Sequence, residues 1–375
     1  MVRDNQQHRE EQPAESRTRL TRRSAVRAAG ASIGALTMGA TVETAAAAGP
    51  TPRLHTDGKW IRNPDGDAVK LRGLAGADPG FYVQYHPKSA AEVLKWATDE
   101  SRGWYPNIVR LPCTQDSVEA FGGPRGFVTD VLRPAVDLLG QRGVYALVDY
   151  HLVRPYTEEA TDNADTSYDA YPDELLRNFW GTVAPAFASD EHVLFELFNE
   201  PTTPAYWGDD ETAWLTWRDT AQPWVDLVQG HAPETPVIIG SPRWTSVPNM
   251  APQYPFDGDN LVYSGHIYPD NGQPSDFDAT YGAPAEDVPI VITEFGWDPD
   301  SGGLDQGTNS GWGQPFRDWV ASYENMGWLA WCFDDSWAPT MFSSPGSGAN
   351  EPWTLKDGPE QHGGFIKQWL AETMS

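Results

Sequence analysis

From Arg53 onward the chain alternates short, near-continuously apolar runs with longer amphipathic segments. The runs are VKLRGL (69–74), NIVRLP (107–112), VYALVDY (144–150), VLFELFN (193–199), PVIIG (236–240), LVYSGHIY (261–268), PIVITEF (289–295) and GWLAWCF (327–333). Apolar runs without alternation are what strands buried on both faces look like, as in a parallel sheet wrapped by helices. Between them, 129–141, 173–188, 211–229, 313–325 and 361–372 read as helices. In the first, Val131, Leu132, Val136, Leu138 and Leu139 recur at helical spacing, bracketed by Asp130 and Gly143. Eight strands separated by helices predict an α/β chain folded as a (β/α)₈ TIM barrel. TDGKWIRNPDG (56–66) carries two Asp-Gly turn signals and predicts a short N-terminal hairpin closing the barrel bottom. No internal repeat, heptad or Ser/Pro linker interrupts the pattern, so 50–375 reads as one domain. The polar stretches 154–172, 201–210, 270–288 and 298–311 follow strands, on the face that carries function in such barrels.

The strand ends are where the pattern breaks. Arg110 closes the second run and His151 follows the third. Asn199 and Glu200 end the fourth, His266 and Tyr268 the sixth, Glu294 the seventh, and Trp331 lies in the eighth. Taken alone, His151 reads as a satisfied buried histidine and Trp331 as core. A carboxylate on an apolar strand is different, because it needs a partner or a chemical role. Strands four and seven lie across a barrel from one another, so Glu200 and Glu294 should face each other over a cleft. Two opposed carboxylates are the minimum equipment for cleaving a glycosidic bond.

FELFNEP, YSGHIYP and VITEFGW resemble the signatures of glycoside hydrolase family 5, the cellulase family, and the similarity runs in order through 69–333. The resemblance implies a retaining endo-β-1,4-glucanase with Glu200 as acid/base and Glu294 as nucleophile. Arg110, His151, Asn199, His266, Tyr268 and Trp331 then fill the family's supporting, substrate-binding positions. Glu294 must stay ionised, and Arg110 beside it would favour that. Glu200 must start protonated to serve the leaving oxygen, then act as base. Asn199 suits the sugar 2-hydroxyl, and Trp331 the floor under the ring. An endo-β-1,4-mannanase shares all eight positions. A transglycosylase and a non-catalytic carbohydrate-binding protein stand further off.

Composition narrows the setting. Trp is abundant at 17 residues, and Trp207, Trp244, Trp297, Trp337 and Trp353 sit in or near post-strand loops, as sugar platforms or simple packing. The net charge of −27 excludes nucleic acid as a partner, since phosphate contacts demand Lys and Arg. With six Lys among 26 basic residues, so acidic a surface predicts a halophilic protein. Residues 1–49 look like an export leader: Thr21-Arg22-Arg23-Ser24, a weakly apolar run, then Thr41–Ala48. The paired arginines resemble a twin-arginine signal, so a secreted protein is expected. The apolar run is too weak for a membrane span. After the last strand only loop and helix lead to Ser375, so a polysaccharide substrate would be held by the cleft of a monomer. Cys113 and Cys332 lie in apolar runs and read as buried thiols. Asp298, Asp300 and Asp305 lack the spacing of an EF-hand and read as a solvated acidic loop. No HxH or HExxH motif points to zinc, no strand ends in a Schiff-base lysine, and neither metal nor cofactor is called for.

Overall fold

Eight parallel strands close on one another in chain order, as the eight apolar runs predict. They are β1 (Arg72–Ala75), β2 (Ile108–Cys113), β3 (Tyr145–Tyr150), β4 (Val193–Glu196), β5 (Val237–Ile239), β6 (Leu261–Ile267), β7 (Ile290–Phe295) and β8 (Gly327–Ala330). The computed structural model describes residues 51–157, 171–344 and 352–373. The leader at 1–49 and most of the polar stretch 154–172 lie outside the described residues. No helix among the described residues is long and apolar enough to cross a membrane.

The barrel interior is built in layers. Leu71, Ile108, Leu147, Leu194, Ile238, Val262, Val291 and Leu329, one from each strand or the residue before it, form an apolar cluster. Leu54 and Ile61 join it from below. Ile61 belongs to the predicted hairpin, His55–Asp57 against Trp60–Arg62, turned at Asp57-Gly58 where Gly58 takes a positive φ of 56°. Two residues further along five strands the same face turns polar. Arg110 follows Ile108, Asp149 follows Leu147, Glu196 follows Leu194, Ser264 follows Val262 and Thr293 follows Val291, all fully buried. The apolar layers thus form a closed floor on which a polar site stands.

A second, larger core lies between the strands and the helices. Its helices include α1 (Ala90–Ala97), α2 (Arg133–Gln141), α3 (Pro172–Phe187), α4 (Asp210–His231), α5 (Gln314–Ser322) and α6 (His362–Glu372). Asp209 caps α4 by accepting from the Thr212 amide at 3.0 Å. Asp130 is not the start of the helix ahead of β3, because the helical run already begins at Pro124, whose fixed φ suits a first turn. Between β6 and β7 the long helix is replaced by short turns that begin near Pro269, Pro274 and Ala283-Pro284, since prolines interrupt any longer run.

One irregularity decides where chemistry can sit. Along β6 and β7, Gly265 pairs with Ile292 but His266 pairs with Glu294, so Thr293 is an extra residue on β7. A regular strand would point Thr293 and Glu294 to opposite faces. The bulge breaks that alternation, and both side chains reach the polar site.

Candidate active site

Arg110 is the hub. Its guanidinium is fully buried and donates from Nε to Glu196 Oε2, from NH1 to Glu294 Oε1 and from NH2 to Asn199 Oδ1, each at 2.6 Å. NH2 also lies 3.0 Å from Asp149 Oδ2. Burial alone would loosen its proton, but Asp149, Glu196 and Glu294 more than reverse that and hold it well above an ordinary arginine. Because Asn199 Oδ1 accepts from Arg110, its Nδ2 is left as a donor for a ligand.

Glu294 is gripped from both sides, by Arg110 at Oε1 and by the Tyr268 hydroxyl at Oε2 (2.9 Å). Burial would raise its pKa, but His266 and Arg110 outweigh burial and bring the carboxyl down to about 2. Tyr268 shifts the opposite way. Burial and the Glu294 charge push its hydroxyl well above the ordinary range, so it stays a donor. Across the cleft, Glu200 Oε1 lies 2.8 Å from His266 Nδ1, and that same nitrogen lies 3.5 Å from Glu294 Oε2. His266 thus stands between the two carboxylates. Ligand-type atoms of Glu200, His266 and Glu294 all fall within 4.8 Å of one another. The Glu200 side chain is 16% exposed against 6% for Glu294, so Glu200 is the one better placed to exchange protons with water.

Behind His266 runs a chain that fixes its tautomer. Thr293 Oγ1 donates to Glu196 Oε1 at 2.7 Å, so at 3.1 Å it must accept from His266 Nε2. His266 Nδ1 therefore faces Glu200 with room for one proton between them. Burial would lower the His266 pKa, but Glu294 and Glu200 raise it overall. His151 is held by Asp149, its Nδ1 being 2.7 Å from Oδ2, and lies parallel to Trp331 with ring centroids 5.5 Å apart. The Trp331 indole donates to the Ala338 carbonyl at 3.0 Å, which fixes its plane.

All eight residues singled out in the sequence meet at one place. Four further members escaped that reading: Asp149, Glu196, Ser264 and Thr293. A signal was present, since each is a polar residue two positions after an inward-facing apolar one on the same strand. The flanking tryptophans divide. Trp207 (72% exposed) and Trp244 (42%) line a groove of about 440 Å³ with Glu200, Arg243, His266, Tyr268 and Leu304. Trp337 lines a second groove of about 520 Å³ with Phe81, Tyr85, His151, Val153 and Arg154. Trp297 and Trp353 pack inside, so they are no platforms. In the acidic loop, Asp298 pairs with Lys356 at 2.9 Å and Asp305 accepts from Ser301 at 2.5 Å. Cys113 and Cys332 are buried free thiols. Among the described residues, His86, Asp334 and Asp335 also cluster, but they are engaged with one another, Tyr82 and the Ser336 and Trp337 amides.

The chain has relatives among known proteins, both in sequence and in fold. The chain is 24% identical to "Endoglucanase E-5" of Thermobifida fusca over 312 residues, covering 80% of this chain and 60% of that one. It thus spans about three fifths of that relative's length. It is also 24% identical to "Cellulase CelDZ1" of a Thermoanaerobacterium species, covering 80% of this chain and 77% of that one. The fold matches the solved β-glucanase SdGluc5_26A from Saccharophagus degradans with a TM-score of 0.71 at 22% identity, over 86% of this chain and 94% of that one. The Thermobifida fusca Cel5A catalytic domain matches with a TM-score of 0.67 at 20% identity, over 85% and 97%. The model of the cellulase family, glycosyl hydrolase family 5, matches residues 63–336, which is most of the barrel, and the chain belongs to that family.

Proposed function

We propose that this protein hydrolyses internal β-1,4 bonds of a glucan by double displacement with retention of anomeric configuration. The observation that carries the proposal is the pair Glu200 and Glu294, on opposite sides of the mouth with oxygens within 4.8 Å through His266. Retaining pairs lie roughly 5–5.5 Å apart, whereas inverting pairs leave room for a water. Glu294, ionised and aimed by Arg110 and Tyr268, attacks the anomeric carbon. Glu200 protonates the leaving oxygen, and His266 holds the carboxyl toward the cleft. The Asn199 amide is free to bond the 2-hydroxyl, an interaction that tightens in the transition state. Water then enters on the leaving-group side, Glu200 removes its proton, and the sugar leaves Glu294.

Endo action is supported by the two grooves at the mouth, one reaching Glu200 and the other His151, since a chain bound along both must be cut internally. Glucan rather than mannan is supported by the names of the relatives, an endoglucanase and a cellulase. The paired Arg22-Arg23 of the leader supports export by the twin-arginine route, and the acidic composition supports work at high salt. The test is hydrolysis of carboxymethylcellulose and galactomannan in concentrated salt, with product anomers followed by NMR. β-Anomers first and a preference for the glucan are expected. An α-first product would reject the double displacement, and faster mannan cleavage would reject the substrate.

A further inference from the structure

Arg243 lies outside the eight expected site positions, yet it sits at the centre of an unusual piece of backbone. Arg243, Trp244 and Thr245 follow one another with φ of 59°, 58° and 57°, and Tyr206 in the facing loop has φ 43°. Four non-glycine residues in the left-handed region, all in the two loops after β4 and β5, are held there by specific contacts. The Arg243 guanidinium donates from Nε to the Ala205 carbonyl (2.7 Å), from NH1 to Asp210 Oδ1 (2.6 Å) and from NH2 to the Tyr206 carbonyl (2.5 Å). It also lies over the Trp207 ring at 5.2 Å. Thr245 Oγ1 donates to the Asn199 carbonyl at 2.6 Å, tying the turn to the residue before Glu200.

What these contacts hold is a surface. Trp207 and Trp244 lie together, ring centroids 6.3 Å apart and planes 28° apart, the first mostly exposed and the second partly so. Folding by itself buries indoles, so two adjacent ones fixed in the open point to a ligand with flat apolar faces. The chemistry of the site says which ligand. Glu200 lines this groove, and Glu200 is the group that protonates the leaving oxygen; the opposite groove contains His151 and not Glu200. The Trp207–Trp244 groove therefore receives the saccharide that departs.

We propose that Arg243 is a positioning residue that locks Trp207 and Trp244 into one wall for the leaving-group saccharide. This rests on the glucanase reading above. The guanidinium bonds the loop after β4 at two carbonyls while belonging to the loop after β5, so one side chain sets the spacing of both indoles. Ordering the wall before binding spares the substrate that cost, and the benefit falls only on substrates with sugars beyond the scissile bond.

Two substrates separate this role from a general structural one. Cellopentaose fills both grooves, whereas β-cellobiosyl fluoride carries no sugar on the leaving side. In Arg243→Gln the ratio of kcat/KM for cellopentaose to that for the fluoride should fall at least tenfold, mainly through KM. Trp207→Ala, exposed and safe for folding, should lower the same ratio. The double variant should fall no further than the worse single, because Arg243 acts through the wall. An unchanged ratio in Arg243→Gln, an equal loss on both substrates, or fully multiplicative losses in the double variant would each overturn the proposal. A wild-type enzyme that turns over neither substrate would remove the glucanase reading, and this inference with it.

Discussion

At the scale of single residues, the site is a charge-balance problem solved around one guanidinium. Arg110 faces Asp149, Glu196 and Glu294, itself and the first two fully buried. Arg110→Met should therefore leave three carboxylates repelling one another, and a loss of about 3–5 kcal/mol in denaturant unfolding is expected. Glu196→Gln should cost clearly less, because Arg110 keeps two acidic partners; equal losses would contradict this account. Glu200→Gln should slow cellopentaose hydrolysis by roughly 10²–10⁴-fold, the usual contribution of a general acid. Its formation of the glycosyl-enzyme from cellobiosyl fluoride should be spared, since fluoride departs without a proton, and azide should restore turnover. His266 gives a pH prediction with a definite sign. Its folded pKa is raised, so the stability it contributes is complete below the ordinary histidine value of about 6.5 and is lost as pH rises through the folded value. The wild-type melting temperature should thus decline on the alkaline side more steeply than that of His266→Gln.

At the scale of elements, the eight strands were readable because each is buried on both faces and so continuously apolar. Seven of the eight site positions were readable because they interrupt, end or follow those runs, whereas Trp331, apolar and inside the eighth run, was legible only through the family resemblance. Asp149, Glu196, Ser264 and Thr293 were not, since each lies within an apolar run of the sequence and only its inward parity betrays it. The bulge at Thr293 lay beyond reach for a different reason. It exists in the pairing of two strands, and nothing local to VITEF distinguishes a regular ladder from a shifted one. The start of the helix ahead of β3 was misplaced because Asp130, a good cap by type, lies inside a run that Pro124 already opens. The hairpin under the barrel was legible from its Asp-Gly turns, and its burial now assigns it a load. Ile61→Ala should destabilise the protein by about 2–5 kcal/mol, as deletion of a buried aliphatic group does, while leaving kcat on cellopentaose within error of wild type.

At the scale of the whole molecule, charge dominates. A net charge of −27 on a chain with only six Lys makes the folded state repel itself at long range. Screening shortens from about 10 Å at 0.1 M salt to about 3 Å at 1 M. The melting temperature should accordingly rise through the molar range of KCl, and a flat or falling curve would argue against adaptation to brine. The catalytic cluster should be insensitive to the same titration once the fold is intact, because its ion pairs are shielded by protein rather than by water. The barrel floor has a practical corollary. Arg53 is anchored to Thr235 below β5, and the Thr373 carbonyl accepts from Arg72 at the foot of β1, so both residues lie on the side away from the mouth. An enzyme immobilised on a bead through a surface residue beside Arg53 or Thr373 would present its open side to the surrounding liquor, and long fibres could be processed without the support standing in their way.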